Sequence, residues 1–118
     1  MMPITRRLFV AFAVILLPGA ARAHHGWGGY DTGKAFTLTG PILRSAYENP
    51  HCEIFVQGEG KVWELVLAPP QRMRSRGVKP EMVAPGKTCT VYGYPHTSKA
   101  TEARIEHIVI DDKRYELR

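Results

Sequence analysis

From residue 35 onward the chain is built of short runs in which apolar and polar residues alternate, bounded by Gly, Pro and polar turns. A period of two over four to eight residues is the pattern of half-buried β-strands. The first run, 35–47, sets Phe36, Leu38 and Ile42 on one side, and Gly40-Pro41 inside it predicts a bulge or sharp bend. After the turn Glu48-Asn49-Pro50, a second run (52–57) turns Cys52, Ile54 and Val56 one way and Glu53, Phe55 and Gln57 the other. The turn Gly58-Glu59-Gly60 leads into a third (61–67), with Val62, Glu64 and Val66 opposite Trp63, Leu65 and Leu67.

Ala68-Pro69-Pro70 stops that strand. Residues 70–76 predict a short helix, with Pro70 suited to its first position and Gly77 to its end. Further strands follow at 87–94 and 103–110, and Asp111-Asp112-Lys113 turns into a short last one at 115–117. The expected fold is all-β: a small five-stranded, OB-like antiparallel barrel with one short helix between strands three and four. An open sandwich with an added hairpin is the competing architecture.

The front of the chain follows a different pattern. Arg6 and Arg7 precede an unbroken apolar run from Leu8 to Leu17, Pro18-Gly19 breaks it, and Ala21-Arg22-Ala23 forms a small-x-small cleavage pattern. This reads as an export signal over 1–23, too short in its apolar part for a permanent membrane anchor. Thr5-Arg6-Arg7-Leu8-Phe9-Val10 resembles a twin-arginine signal, and the general secretory route stays open beside it. The expected destination is the periplasm. What remains is a front segment, 24–34, and the barrel, 35–118.

Export changes the charge balance. The formal net charge of +5 includes Arg6, Arg7 and Arg22, and without them 13 basic residues face 11 acidic ones. That balance leaves no electrostatic footprint for nucleic acid. The local cluster Arg72, Arg74 and Arg76 would splay around a helix and reads as a solvated turn. Cys52 and Cys89, in an oxidising compartment, are read first as a disulfide, with two buried thiols or a metal role for Cys52 as alternatives.

Cleavage after Ala23 would expose the α-amine of His24. That amine and the Nδ1 of the same residue can chelate one ion, and His51 would add a third nitrogen in the T-shaped histidine brace that holds Cu(II). His25 can serve beside or in place of His51. His96 and His107 read as surface residues. Trp27 and Tyr30 are expected to pin the front segment to the barrel, with Asp31 turning it. Catalysis finds little support: no Ser-His-Asp constellation and no acid–base pair stands out among the scattered carboxylates.

The residues also carry a resemblance. His24-His25-Gly26-Trp27, Tyr30-Asp31, Leu38-Thr39-Gly40, Asn49-Pro50-His51, Trp63-Glu64-Leu65, Arg76-Gly77, Pro85-Gly86 and Thr90-Val91-Tyr92-Gly93-Tyr94 resemble a family of small exported bacterial proteins. That family is catalogued only as a domain of unknown function, number six-one-five-two. The family pattern follows its paired histidines with Ser-Phe, where this chain has Gly26-Trp27. The resemblance implies export and a compact β-barrel, makes His24, His25 and His51 the best site residues, and supplies no activity. The functional expectation is a periplasmic metal-binding protein, most readily for copper, and not a conventional enzyme. The alternative is an accessory module whose face around Trp27, Trp63 and Tyr92 meets an envelope protein or a small ligand.

Overall fold

The structure is a computed structural model and describes residues 27–118. The signal segment, its cleavage point and the pair His24-His25 lie outside the described residues. The elements are β1 (Phe36–Ala46), β2 (Glu53–Gly58), β3 (Lys61–Val66), α1 (Pro70–Ser75), a 3₁₀ turn (Pro80–Val83), β4 (Thr88–Pro95), β5 (Glu102–Ile110) and β6 (Lys113–Glu116).

Strand order is β3-β2-β1-β4-β5-β6, and a further pairing of β3 with β5 closes the first five strands into a barrel. The expectation of an all-antiparallel barrel needs one correction, because β3 and β5 run parallel, through Glu64–Glu102, Leu65–Ala103 and Val66–Arg104. Parity is the cause. Around a ring of five strands directions cannot alternate throughout, so one seam must join two strands of the same sense. β5 divides this edge, giving its first residues to β3 and His107 to Ile110 to β6.

β1 explains how the ring closes tightly. Phe36 to Pro41 pair with β4, and the pairing with β2 begins at Ile42, with a register shift between Ile42 and Arg44. Gly40-Pro41 therefore does not interrupt the strand, and the irregularity falls just after it. Two of the hairpins, β2–β3 and β5–β6, turn on residues with positive φ, Glu59 and Gly60 in one, Asp111 and Asp112 in the other. Such turns match the right-handed twist of their flanking strands.

Inward positions follow the alternation: Ile54, Val56, Leu65, Ala103 and Ile108 are fully buried. α1 and the segment after it add Met73, Val78 and Val83 to the same core. The end of α1 is a Schellman motif. Val78 N–H donates to the Met73 carbonyl (2.8 Å) and Gly77 N–H to that of Arg74 (3.0 Å), with Gly77 at φ +94° and Val78 packed in the core beside Met73. Among the described residues no helix is long and apolar enough to cross a membrane.

The expected Cys52–Cys89 bridge is absent: both are free thiols, 1% and 2% exposed. Both face inward as expected, but β1 lies between their strands. Cys89 pairs opposite Gly40, whereas Cys52 precedes the Glu53–Ala46 pair at the other end of β1. That offset is on the order of 20 Å of strand, far beyond the Cα separation a disulfide spans. Burial pushes both thiols up to about 11.

Candidate functional site

The outer face at the barrel seam is where chemistry gathers. On the outside of β5, Glu102 and Arg104 precede a bulge, since the register with β4 shifts between Tyr92 and Gly93. Ile105 and Ile108 both point inward, so Glu106 and His107 both fall outside. Gly93 is what lets the strands approach there: a Cβ on it would lie 2.2 Å from the Arg104 carbonyl oxygen and 2.8 Å from Ile105 Cδ1.

The front segment is laced to this face. Asp31 N–H donates to the Pro95 carbonyl (2.8 Å), Thr97 N–H to that of Gly29 (2.9 Å), and Tyr30 forms an antiparallel bridge with His96. Asp31 Oδ1 accepts from Gly33 N–H at 3.0 Å, the turn expected of it. The Trp27 ring meets Tyr94 edge-on at 5.7 Å. The guanidinium carbons of Arg104 and Arg118 each lie 4.7 Å from its centroid. Tyr30 Oη donates to Glu102, and burial together with that carboxylate raises its pKa far above the usual phenol value. Trp27 and Tyr30 thus pin the front segment to the barrel.

His51 sits half-buried at the corner before β2, after a cis Asn49–Pro50 peptide. Burial lowers its pKa, and the charges of Arg104 and Arg72 lower it further. Its imidazole is therefore neutral, with a nitrogen lone pair, at neutral pH. The carboxylates around the seam act on one another: burial, then Glu64, Glu102 and Glu48, raise the pKa of Glu53. Of the expected metal set, only His51 falls within the described residues. Among them no group of three or more His, Cys, Asp or Glu is placed to hold a metal ion.

The other expected positions separate. Trp63 lies inside the barrel, 6% exposed and packed on Phe36, so it shares no face with Tyr92. Its phase with Leu65 and Leu67 already carried that signal. Tyr92 points outward, edge-on to Tyr94 and stacked on His107, so it does share a face with Trp27. His96 and His107 are half-buried, His107 on the outer face of the barrel. His96 Nδ1 accepts the N–H groups of Ser98 and Lys99, both at 3.1 Å, and so holds its loop.

The three helix arginines do splay, each to a different purpose. The charge of Arg72 adds to burial in lowering the pKa of His51 and of Arg104. Arg74 lies over the Tyr47 ring at 5.2 Å, and Arg76 Nη2 donates to the main-chain oxygen of Arg118 at 2.7 Å. Sequence reasoning missed that Arg104 and Arg118 meet at the Trp27 ring. No short-range signal links positions so distant in the chain.

Fold and site together define a small closed β-barrel protein with an aromatic and arginine-rich seam. Comparison with known proteins adds its family: a family model described as "Family of unknown function (DUF6152)" matches residues 13–104, and the chain belongs to that family. It is the family its motifs resemble. Among solved structures the chain is similar to TiaS in complex with a tRNA and ATP, with 17% identity and a TM-score of 0.50 over 69% of this chain and 19% of that one. It is also similar to a ZRD-deleted mutant of TiaS in complex with agmatine, with 16% identity and a TM-score of 0.53 over 74% of this chain and 27% of that one. The chain thus spans about a fifth to a quarter of those structures, and the likeness is one of fold alone. No curated protein matches it.

Proposed function

We propose that the exported protein is a periplasmic metal-binding protein on an OB-like barrel, taking copper through the His24 amine and imidazole together with His51, and with His25 able to join them. The OB-like reading is supported by the ring order β1-β2-β3-β5-β4 and by the helix between β3 and β4.

One observation carries the metal reading: Arg104 lies against Trp27, its guanidinium carbon 4.7 Å from the ring centroid, and its charge acts on His51. His25 and His24 come two and three residues before Trp27. At up to about 3.6 Å per residue, two or three residues span on the order of 10 Å. A neutral imidazole at that corner suits a nitrogen-rich Cu(II) site.

The test is Cu(II) titration of protein whose intact mass shows His24 as its first residue, followed by EPR. The expected result is a nitrogen-rich type 2 signal altered in His24→Ala and in His51→Ala, and lost when one Gly is added before His24. Affinity no better than that of a free His-His-Gly-Trp peptide refutes the metal reading.

A second reading, an accessory binding module, is favoured by a specific feature. The charges of Arg72 and Arg104, which act on His51, oppose the arrival of a dication there. The partner would then be an envelope protein or a small ligand of opposite charge.

A further inference from the structure

The front segment is fastened to the barrel although it adds nothing to the core. Among the described residues the buried core begins at Leu38, and Trp27 is half-buried. Around that indole stand three groups: Tyr94 edge-on at 5.7 Å, and the guanidinium carbons of Arg104 and Arg118, each 4.7 Å from the ring centroid. One carboxylate ties two of the three together. Glu106 Oε1 accepts from the Tyr94 hydroxyl and, at 3.3 Å, from Arg118 Nη1. The β5 bulge is what turns Glu106 outward to reach them both.

Arg118 is held at three points. Its main-chain oxygen accepts from Arg76 Nη2 at 2.7 Å, and its guanidinium donates to Glu106. The residue before it is anchored too: Leu117 is buried, and its N–H donates to the Glu106 carbonyl at 2.8 Å. An exposed arginine with a single surface ion pair contributes little. Here main-chain and side-chain tethers fix the charge over the indole, whose ring attracts a guanidinium. Tyr94 stays a donor to Glu106, because that hydrogen bond and then burial push its phenol up to about 12. The fixed geometry ends at Trp27, two residues after His25 and three after His24.

We propose that Glu106 and Arg118 are positioning residues for the amino-terminal copper chelate. Glu106 sets Arg118 and Tyr94 against Trp27, and Trp27 in turn limits where the histidines before it can go. This role rests on the copper reading and adds to it the groups that restrict the chelating end. A front end free to wander spends only part of its time in a chelating position, and apparent affinity falls by that fraction. Restricting it beforehand removes the loss, which is the general effect of preorganisation. Neither Glu106 nor Arg118 touches the ion.

The test uses protein beginning at His24, with R118Q, R118K and E106Q, and with R114Q as a control whose arginine pairs with Glu116. Without copper, hydrogen exchange of the Asp31 and Thr97 amides reports the clamp, since both N–H groups bond between front segment and barrel. Their exchange is expected to rise about fivefold or more in R118Q and E106Q, while the buried strand amide of Leu65 keeps its protection. Cu(II) affinity, read by competition titration, is expected to fall about fivefold or more in R118Q, to return in R118K and to be kept in R114Q. The sign discriminates, because removing a positive charge near a dication would by itself tighten binding. If R118Q loses protection at Leu65, E106Q serves in its place. Copper affinity in the variant equal to or above that of wild type, or unchanged exchange at Asp31 and Thr97, overturns the positioning role and leaves the copper reading standing. Wild-type affinity no better than that of the free His-His-Gly-Trp peptide overturns both.

Discussion

Tyr92 and His107 stack face to face between β4 and β5, their ring centroids 4.9 Å apart and their planes 10° from parallel. The stack buries His107 Nδ1, which has no hydrogen-bond partner among the described residues. Burial, then Arg114, lowers the His107 pKa, against smaller opposite effects of Glu116 and Glu106.

A pH dependence follows from this ring and His51. Both imidazoles have folded-state pKa values below the ordinary 6.5. The unfolded chain therefore takes up protons first, and stability falls as pH drops through the unfolded value. Urea midpoints should decline between about pH 7.5 and 5.5, and His107→Phe, which keeps an aromatic stack, should flatten part of that slope. Glu53, whose pKa is raised, acts in the opposite sense at lower pH. An unchanged slope in His107→Phe would remove His107 from the explanation.

Gly93→Ala should be among the most damaging single-methyl additions in the chain. The new Cβ would sit 2.2 Å from the Arg104 carbonyl oxygen, main chain that cannot rotate away. A loss of about 3 kcal/mol is expected, read as a lower urea midpoint at constant m-value.

Trp27→Ala should release the front segment while leaving the barrel folded. It removes an edge-on contact with Tyr94 and two guanidinium contacts at 4.7 Å. About 1–2 kcal/mol of local stability is at stake, and trypsin should cut faster after Lys34. Trp27→Phe should retain part of the protection. Equal cleavage of all three proteins would show that the ring is no anchor.

The cysteines should behave as core residues. Oxidised and reduced protein should have the same mass, and both thiols should resist alkylation near neutral pH until the protein unfolds, since each is buried and shifted up to about 11. A mass lower by two hydrogens in the non-reduced protein would restore the bridge.

How much of this was legible follows the range of each signal. Alternation read Ile54, Val56, Leu65 and Leu67 into the core, because a strand side chain's face depends on its immediate neighbours alone. The same rule, applied consistently, would have placed Trp63 inside with them. A ring of five strands also requires one parallel seam, a matter of counting that the antiparallel expectation overlooked. The disulfide was inferred from compartment and number, and neither measures the β1 strand that stands between Cys52 and Cys89.

Local pattern was enough for the strands, the helix stop at Gly77 and the attachment of the front segment through Trp27 and Tyr30. Each rests on backbone preference or burial, and both are encoded within a few residues. Convergence had to await the folded chain. Arg104 and Arg118 meet at the Trp27 ring, and Arg118 meets Arg76, because the segment after β6 folds back onto both. Charge acts through space, so the partners of a charged group depend on long-range closure that no short window of residues contains.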